Sequence, residues 1–350
     1  MPQPPLYPLH LKPIYKEKVW GGRKLQSALG RSLPGDAQAR IGEAWELADL
    51  STTSVSGGGG GAERSVVANG PLAGRTVHEL MQMYGPQLLG NLSPTPAGDF
   101  PILLKYLDAS ENLSVQVHPS PDYCRTHPQA HLKSEAWYIV AAEPGAKIYK
   151  GLKSGTEPQA FRRAITGGET QAVLDMMIGV PVKPGDLHYL PSGTCHAVGA
   201  GLLVAEVQTP SDTTFRVFDW GRTGRELHIE QALQCITFGP ADTARFEKRT
   251  HIAGMHTTVS RLCLCDYFRI EKVRMVETYE QEIPYDQPAA WMVLEGRGVL
   301  VPGNGAADVN FSKGDTLLIP AHMDQARVKL LADTVWLEVT FPQAMPPRIA

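Results

Sequence analysis

The sequence has few cysteines and no long apolar segment. Its five cysteines are odd in number and scattered, which fits reduced thiols better than a disulfide framework. No apolar run approaches the roughly 20 residues that a membrane-spanning helix needs. The first residues lack the apolar stretch of a secretory signal. We therefore expect a cytoplasmic protein with no membrane partner.

Neither sign of charge dominates the chain. It has 33 lysines and arginines against 36 acidic residues, a formal net charge of −3 at pH 7. Because nucleic-acid binders usually carry a basic face or block, and no such block occurs, we expect no nucleic-acid partner. The length of 350 residues exceeds that of one ordinary core, so two domains are expected.

Turn-forming residues are abundant instead. The 28 prolines and 34 glycines separate short runs rich in Val, Ile, Leu and Tyr, a pattern typical of many short strands. Helical spacing of apolar residues occurs in residues 76–90, 156–180 and 225–238. The sequence therefore predicts a mainly β protein with a few helices in or on its N-terminal half.

Two segments resemble each other internally. "KPGDLHYLPSGTCH" (183–196) and "SKGDTLLIPAHMDQ" (312–325) both place Gly-Asp before an alternating strand and a proline. Each follows a pattern typical of a hairpin, "EAWYIVAAEPGAKI" in the first case and "AAWMVLEGRGVLV" in the second. A duplicated antiparallel unit favours two jelly-roll β-barrels. We predict one domain over residues 1–245 and a second over residues 246–350.

Four side chains in the first half suit a metal ion. Gln116 and His118 are two residues apart on a predicted strand and so share a face. Glu135 begins a later strand, and His196 follows a tight Pro-Ser-Gly-Thr turn. Two imidazoles, a carboxylate and an amide oxygen suit a borderline ion such as zinc and leave a position open for chemistry. The order of these ligands is that of cupin metal sites, so we predict one zinc ion per chain.

The second half lacks this pattern. His322 follows its Gly-Asp strand, but the preceding hairpin pattern has no His-x-His or Gln-x-His. We therefore interpret His322 as a surface or core residue and predict a second domain without metal.

Strand alternation adds candidates to the same cavity. Lys133 is two residues before Glu135 and should share its face. In "LVAEVQT", Glu206 and Gln208 alternate with a wholly apolar face that should pack in the core. Glu206 is then a candidate base or a partner that orients a histidine ligand; the alternative is a solvent-facing glutamate.

The ordered motifs of the chain resemble those of a known family. They resemble the type I mannose-6-phosphate isomerases of the cupin superfamily, in their short bacterial form. The resemblance covers most of the chain and includes "KEKVWGG" (16–22), "IGEAWELAD" (41–49), "FPILLKYLDASENLSVQVHP" (100–119), "KSEAWYIV" (133–140), "KPGDLHYLPSGTCHAV" (183–198) and "EVQTPSDTTFRVFDWGR" (206–222).

This resemblance implies a zinc-dependent aldose–ketose isomerase. Its substrates would be mannose 6-phosphate and fructose 6-phosphate, interconverted by proton transfer through an enediolate. The metal ligands of the family fall on Gln116, His118, Glu135 and His196, and its active-site arginine falls on Arg216.

The resemblance and the charge of the substrate together suggest roles. We expect Arg216 to stabilise the enediolate or the phosphate, the alternative being an ion pair with Asp212 or Asp219. Lys133 would bind substrate oxygens or phosphate, unless it is a solvated lysine at a strand start. The predicted catalytic residues are Arg216, Lys133 and Glu206, and the predicted substrate-binding residues are Lys133, Gln208 and Arg216. Cys195 is interpreted as a packed residue, because isomerisation needs no nucleophile.

Two other functions remain open on the sequence. Longer family members have a lysine where Ser120 stands and a histidine where Leu132 stands. These departures would suit a metal-cupin protein that binds sugar phosphates without turnover. A cupin dioxygenase or decarboxylase is disfavoured, since those enzymes usually use three histidines and Gln116 replaces one. We expect a small-molecule sugar phosphate as partner and a monomer or weak homodimer.

Overall fold

The computed structural model describes residues 3–54, 59–283, 285–323 and 325–342, and it is mainly β. In those ranges no helix is long and apolar enough to span a membrane. The chain folds into two compact units. The first unit comprises Pro13–Glu63 and Leu103–Arg245, and the second comprises Met1–Lys12, Arg64–Ile102 and Phe246–Ala350. The assignment of separate roles to residues 1–245 and 246–350 stays a prediction.

The elements up to residue 245 include all the described helices. The strands are β1 (Leu9–His10), β2 (Ile14–Gly22), β3 (Ile41–Leu47), β4 (Asp49–Leu50), β5 (Glu63–Arg64), β6 (Leu103–Ala109), β7 (Val115–Val117), β8 (Glu135–Ala142), β9 (Lys147–Leu152), β10 (Met177–Pro181), β11 (Leu187–Leu190), β12 (His196–Val198), β13 (Leu202–Gln208) and β14 (Phe215–Phe218). The helices are α1 (Lys24–Leu29), α2 (Val77–Tyr84), α3 (Pro86–Leu89), α4 (Pro121–Thr126), α5 (Pro158–Gly167), α6 (Thr170–Met176) and α7 (Ile229–Cys235).

The described elements after residue 245 are strands. They are β15 (Thr250–Ala253), β16 (Thr257–Leu264), β17 (Arg269–Met275), β18 (Glu280–Glu282), β19 (Ala289–Glu295), β20 (Arg297–Val301), β21 (Val309–Ser312), β22 (Thr316–Ile319), β23 (Arg327–Leu330) and β24 (Thr334–Thr340).

Two antiparallel sheets build the first unit. One has the strand order β11-β8-β13-β6-β2-β3, and the other has the order β10-β9-β12-β7-β14. Strands β6 and β13 are buried at every position, because both faces of each strand are covered. The five-stranded sheet packs its apolar residues with those of α5, α6 and α7 in one core cluster. The metal-ligand candidates are divided between the two sheets, as described below.

The hairpin predicted from "EAWYIVAAEPGAKI" (135–148) is wrong in its pairing. The turn forms where expected, since Ala146 N donates to the carbonyl of Glu143 at 3.0 Å and Gly145 adopts a φ of 80°. However, β8 pairs with β11 and β13, whereas β9 pairs with β10 and β12. Because both edges of β8 are already occupied, the chain crosses to the other sheet after the turn.

The second unit repeats this pairing. Its β19 pairs with β22 and β24, and its β20 pairs with β21 and β23. Strands β17 and β18 take the places of β6 and β7 by pairing with β24 and β23. Eight consecutive strands, β6–β13 and β17–β24, therefore pair in the same order in the two units. The second predicted hairpin likewise divides between two sheets.

The three segments with helical spacing contain α2, α3, α5, α6 and α7, whereas α1 and α4 lie outside them. Thr76 and Glu79 form a capping box at the start of α2. The pattern over residues 156–180 predicts helix to its end, but α6 ends at Met176 and residues 177–181 form β10. Pairing of this segment with β9 overrides its local helical spacing.

Candidate metal centre

Three of the predicted ligands converge between the sheets of the first unit. Glu135 is the first residue of β8, His196 is the first residue of β12, and His118 directly follows β7. The carboxylate oxygens of Glu135 lie 3.3 Å from His118 Nε2 and 3.2 Å from His196 Nε2. All three side chains are buried. One potential ligand atom from each lies within 4.8 Å of the others, a spacing that one ion could bridge.

A tight turn places His196 at this point. Thr194 N donates to the carbonyl of Pro191 at 3.1 Å, and Gly193 has a φ of 86°, which L-residues rarely adopt. A Cβ at Gly193 would come within 2.9 Å of the carbonyl oxygen of Cys235. The turn therefore requires glycine there, as the Pro-Ser-Gly-Thr segment suggests.

The two imidazoles are oriented by backbone carbonyls. His118 Nδ1 donates to the carbonyl of Thr213 at 3.0 Å, and His196 Nδ1 donates to that of Thr194 at 2.8 Å. Each Nε2 is then left with a lone pair that faces the Glu135 carboxylate. Outer hydrogen bonds of this kind fix the tautomer of histidine ligands in metal sites.

Electrostatics favour a cation among these atoms. Burial lowers the pKa of His118 to about 3, and Lys133 adds to this effect. Burial also lowers the pKa of His196. Burial alone would raise the pKa of Glu135, but Lys133 and the two histidines hold that pKa well below its usual value. Near neutral pH, the two neutral imidazoles therefore present their Nε2 lone pairs to an ionised carboxylate. His118 Nε2 has no hydrogen-bond partner among the described residues. The donor set thus fits a divalent metal ion.

Gln116 completes the predicted set from the neighbouring strand. It lies opposite His196 in the β7–β12 pair, and its Nε2 is 3.3 Å from His196 Nε2. Its Oε1 accepts a hydrogen bond from the Ser114 hydroxyl at 3.3 Å. A half-turn of the amide would direct Oε1 toward the ring, so Gln116 can serve as an oxygen ligand.

A cavity of about 470 Å³ opens beside this cluster. Gln116, Lys133, Glu206 and Arg216, all predicted site residues, line its wall. The other lining residues are Glu17, Lys18, Val19, Trp20, Glu43, Trp45, Lys105, Leu107, Leu113, Ser114, Asp212, Thr214, Gly224, Arg225 and Glu226. This volume and the mixture of cations and carboxylates suit a small anionic ligand.

Lys133 and Glu206 are two buried charged residues of this cavity wall. Lys133 Nζ lies 2.8 Å from Glu135 Oε2. Burial alone would lower the pKa of Lys133, but Glu135 and Glu206 raise it overall, so the lysine is charged. Burial raises the pKa of Glu206 to about 7, because the attraction of Lys133 offsets burial only in part. A buried carboxylate that titrates near neutrality can accept and return a proton.

Arg216 and Gln208 occupy different surroundings. Arg216 is buried in β14, and its Nη1 donates to the carbonyl of Glu226 at 2.8 Å. Its Nε has no hydrogen-bond partner in the described structure. Gln208 lies opposite Glu135 in the β13–β8 pair, and its Nε2 donates to the carbonyls of Thr209 and Ser211. The described cavity wall does not include Gln208, so its substrate-binding role stays a prediction.

Sequence reasoning missed a set of charged residues in the cavity wall. Lys105 Nζ lies 3.8 Å from Glu206 Oε2 and 3.9 Å from Glu43 Oε2, and it is 4.5 Å from the centre of the Trp45 ring. Burial lowers the pKa of Lys105 against the attraction of both carboxylates. A lysine inside the otherwise apolar run "LLKYL" was the signal that could have revealed it.

Three further residues are buried, and for Cys195 this is the packing that the sequence predicts. Trp137 and Tyr189 are buried. Cys195 is also buried, in the core cluster of the five-stranded sheet, and burial raises the pKa of its thiol to about 12. Because the thiolate is the reactive form, this cysteine is suited to packing.

Comparison with known proteins places the chain in a family. Residues 9–143 match the family model for the catalytic domain of type I phosphomannose isomerase. The chain is 34% identical over 337 residues to mannose-6-phosphate isomerase ManA of Bacillus subtilis, with 94% of this chain and 98% of the relative covered. The chain belongs to the type I phosphomannose isomerase family.

Solved structures share its fold. A crystal structure of the mannose 6-phosphate isomerase of Bacillus subtilis matches with a TM-score of 0.81 and 29% identity, covering 95% of this chain and 99% of that chain. A mannose 6-phosphate isomerase bound with zinc and yttrium matches with a TM-score of 0.68 and 14% identity, covering 96% of this chain and 100% of that chain. The mainly β architecture is therefore that of known members.

Proposed function

We propose that the protein interconverts D-mannose 6-phosphate and D-fructose 6-phosphate. The observation that carries the proposal is the buried His118–Glu135–His196 cluster beside a cavity that Lys133 and Glu206 also line. Family membership supplies the substrate, and the cavity residues suit its anionic groups. An aldose–ketose isomerisation needs a proton acceptor and stabilisation of a developing enediolate, which these residues can provide.

The metal in this proposal is one zinc ion per chain. His118, Glu135 and His196 would hold it, with Gln116 as the fourth ligand. Nitrogen donors combined with one carboxylate oxygen suit zinc better than magnesium or calcium. A bound zinc ion would act as a Lewis acid toward the oxygens of the substrate.

The residues of the chain would divide the remaining work. Glu206 would move the proton between C1 and C2, because its pKa of about 7 lets both protonation states occur near neutrality. Arg216 and Lys133 would neutralise the negative charge of the enediolate or the phosphate. Gln208, beside Glu135, would bind a sugar hydroxyl.

The finer features of the fold belong to the same proposal. We describe each set of eight strands as a cupin-type jelly roll, a view supported by the repeated pairing order. Residues 1–245 would form the catalytic domain and residues 246–350 a domain without metal. A cytoplasmic location and a monomeric or weakly dimeric state remain predictions.

A coupled assay tests the function. Fructose 6-phosphate formed from mannose 6-phosphate is measured before chelation, after chelation and after zinc is added back. Chelator-sensitive turnover that zinc restores is the expected result, and His196→Ala should abolish both turnover and recovery. Zinc-loaded protein that is thermally stabilised by mannose 6-phosphate but forms no product would contradict the isomerase and favour a binding protein.

A further inference from the structure

One buried tryptophan connects the metal cluster with the candidate base. Trp137 Nε1 donates a hydrogen bond of 3.0 Å to Glu206 Oε1. The same indole meets the His196 ring edge to face, with centroids 5.3 Å apart and planes at 80°. Trp137 is 1% exposed and Glu206 3% exposed, so water does not compete for this bond.

Strand register produces this contact. Trp137 lies opposite Glu206 in the β8–β13 pair, so the two side chains leave the sheet on one face. Two residues earlier on β8, Glu135 lies opposite Gln208. The register that delivers the ligand carboxylate to the cluster therefore also delivers the indole N–H to Glu206.

The other carboxylate oxygen of Glu206, Oε2, makes a weaker contact with a charged group. Lys105 on β6 lies 3.8 Å from Oε2, beyond hydrogen-bond distance. Lys133 and Glu135 act on Glu206 through charge, from β8 and the residues before it. Among the described contacts, the Trp137 bond is thus the directional one, and it determines which oxygen of Glu206 faces the cavity.

The second unit provides an internal comparison. Trp291 lies opposite Glu338 in the β19–β24 pair, the place that Trp137 and Glu206 occupy in the first unit. There, however, Trp291 Nε1 donates to the Tyr285 hydroxyl at 3.0 Å, and Glu338 Oε2 accepts hydrogen bonds from Tyr285 and Trp336. The fold therefore places tryptophan opposite glutamate in both units without requiring the direct bond.

We propose that Trp137 is a positioning residue for the isomerisation, acting through its indole N–H on the Glu206 carboxylate. This inference rests on the proposed function and on the assignment of Glu206 as the base. The indole fixes the rotamer of the carboxylate, so that one oxygen faces the substrate while the other is held. Its ring also packs on His196, so the distance and orientation between Glu206 and this candidate metal ligand stay constant.

Trp137→Phe tests the inference because it removes the N–H and keeps an aromatic ring. We expect kcat to fall about tenfold, with zinc content and KM unchanged. The acidic limb of the kcat/KM profile should move to higher pH by about one unit, since a hydrogen bond to the ionised form is lost. Trp291→Phe is the matched control and should leave both kcat and the profile unchanged.

A double-mutant cycle shows whether the effect passes through Glu206. In a Glu206→Gln background, Trp137→Phe should lower the residual kcat less than about twofold, because coupled residues are not additive. A full tenfold loss in that background, an unshifted pH profile, or loss of zinc from Trp137→Phe would overturn the inference and leave Trp137 as a packing residue.

An activity-independent measurement separates this inference from the proposed function. Glu206→Gln should shift the indole ¹H–¹⁵N resonance of Trp137, assigned by its absence in Trp137→Phe, and should leave that of Trp291 in place. An unshifted Trp137 resonance overturns the hydrogen bond whether or not the enzyme turns over. If Glu206→Gln shifts the Trp137 resonance but the zinc-loaded wild type shows no turnover, the isomerase function and the positioning role are both overturned. The contact between Trp137 and Glu206 is then retained.

Discussion

Arg216 and Gln116 lie opposite each other in the β14–β7 strand pair. This register brings Arg216 next to Gln116, a candidate metal ligand, although the two residues are far apart in sequence. Both side chains line the same cavity. A substrate that reached the metal would therefore also reach Arg216, which makes this arginine the first residue to vary.

Arg216→Lys should lower kcat/KM about a hundredfold, because lysine keeps the charge but lacks the planar fork that binds two oxygens. Steady-state kinetics measure the change, and atomic emission should find the zinc content unaltered. Arg162→Lys is the control, since Arg162 forms an exposed ion pair with Glu230. Wild-type kinetics for Arg216→Lys would remove Arg216 from the site.

His196→Ala should reduce bound zinc from one ion per chain to a small fraction. The reason is that the alanine side chain offers no donor atom, so the ion would lose one of its protein ligands. Zinc should then no longer raise the melting temperature, as it does by mass action when it binds the folded state. His322→Ala, in the second unit, should retain full zinc content, and equal losses in the two variants would contradict a single site in the first unit.

Lys133→Met should lower kcat about a hundredfold while zinc remains bound. Lys133 Nζ is 2.8 Å from the Glu135 carboxylate, where its charge competes with a metal ion. Removing that charge should leave zinc affinity equal or higher, although substrate stabilisation is lost. Competition with a chromophoric chelator gives the affinity. Lys147→Met, at an exposed position of β9, is the control; weaker zinc binding by Lys133→Met alone would show that the lysine supports the ligand.

Glu206→Gln should change how the stability of the metal-free protein depends on pH. Burial raises the pKa of Glu206 from 4.5 to about 7, so between these values the folded protein holds a proton that the unfolded chain has released. The free energy of unfolding of the wild type should therefore fall, relative to the variant, as the pH rises through that range, by about 3 kcal/mol in total. Urea unfolding below and above that range measures the difference. A constant difference between the two proteins would mean that Glu206 is ionised throughout.

Local spacing was sufficient to select the candidate metal ligands. Period-two alternation put His118 with Gln116 and Lys133 with Glu135, and the turn residues before His196 indicated a sharp change of direction. These features depend on a few neighbouring residues, so they survive in a sequence without tertiary information.

Pairing partners were beyond the reach of local spacing. The strands on either side of Glu143–Gly145 resemble a hairpin, yet β8 and β9 join different sheets. That outcome depends on which distant strands occupy the edges of β8. The positions of Lys105 and Glu43 in the cavity wall likewise follow from the register of β6 with β13 and β3.

The sequence by itself determined the mainly β class, the internal repeat, the candidate ligands and the family motifs, because each depends on residues that are adjacent or regularly spaced. Tertiary structure alone decided that His118 and His196 meet the carboxylate of Glu135 at 3.3 and 3.2 Å. It also decided that Lys105 lies between two carboxylates and that Trp137 bonds to Glu206. Those relations depend on long-range strand register, and a shift of one residue would turn each of these side chains to the opposite face of its sheet.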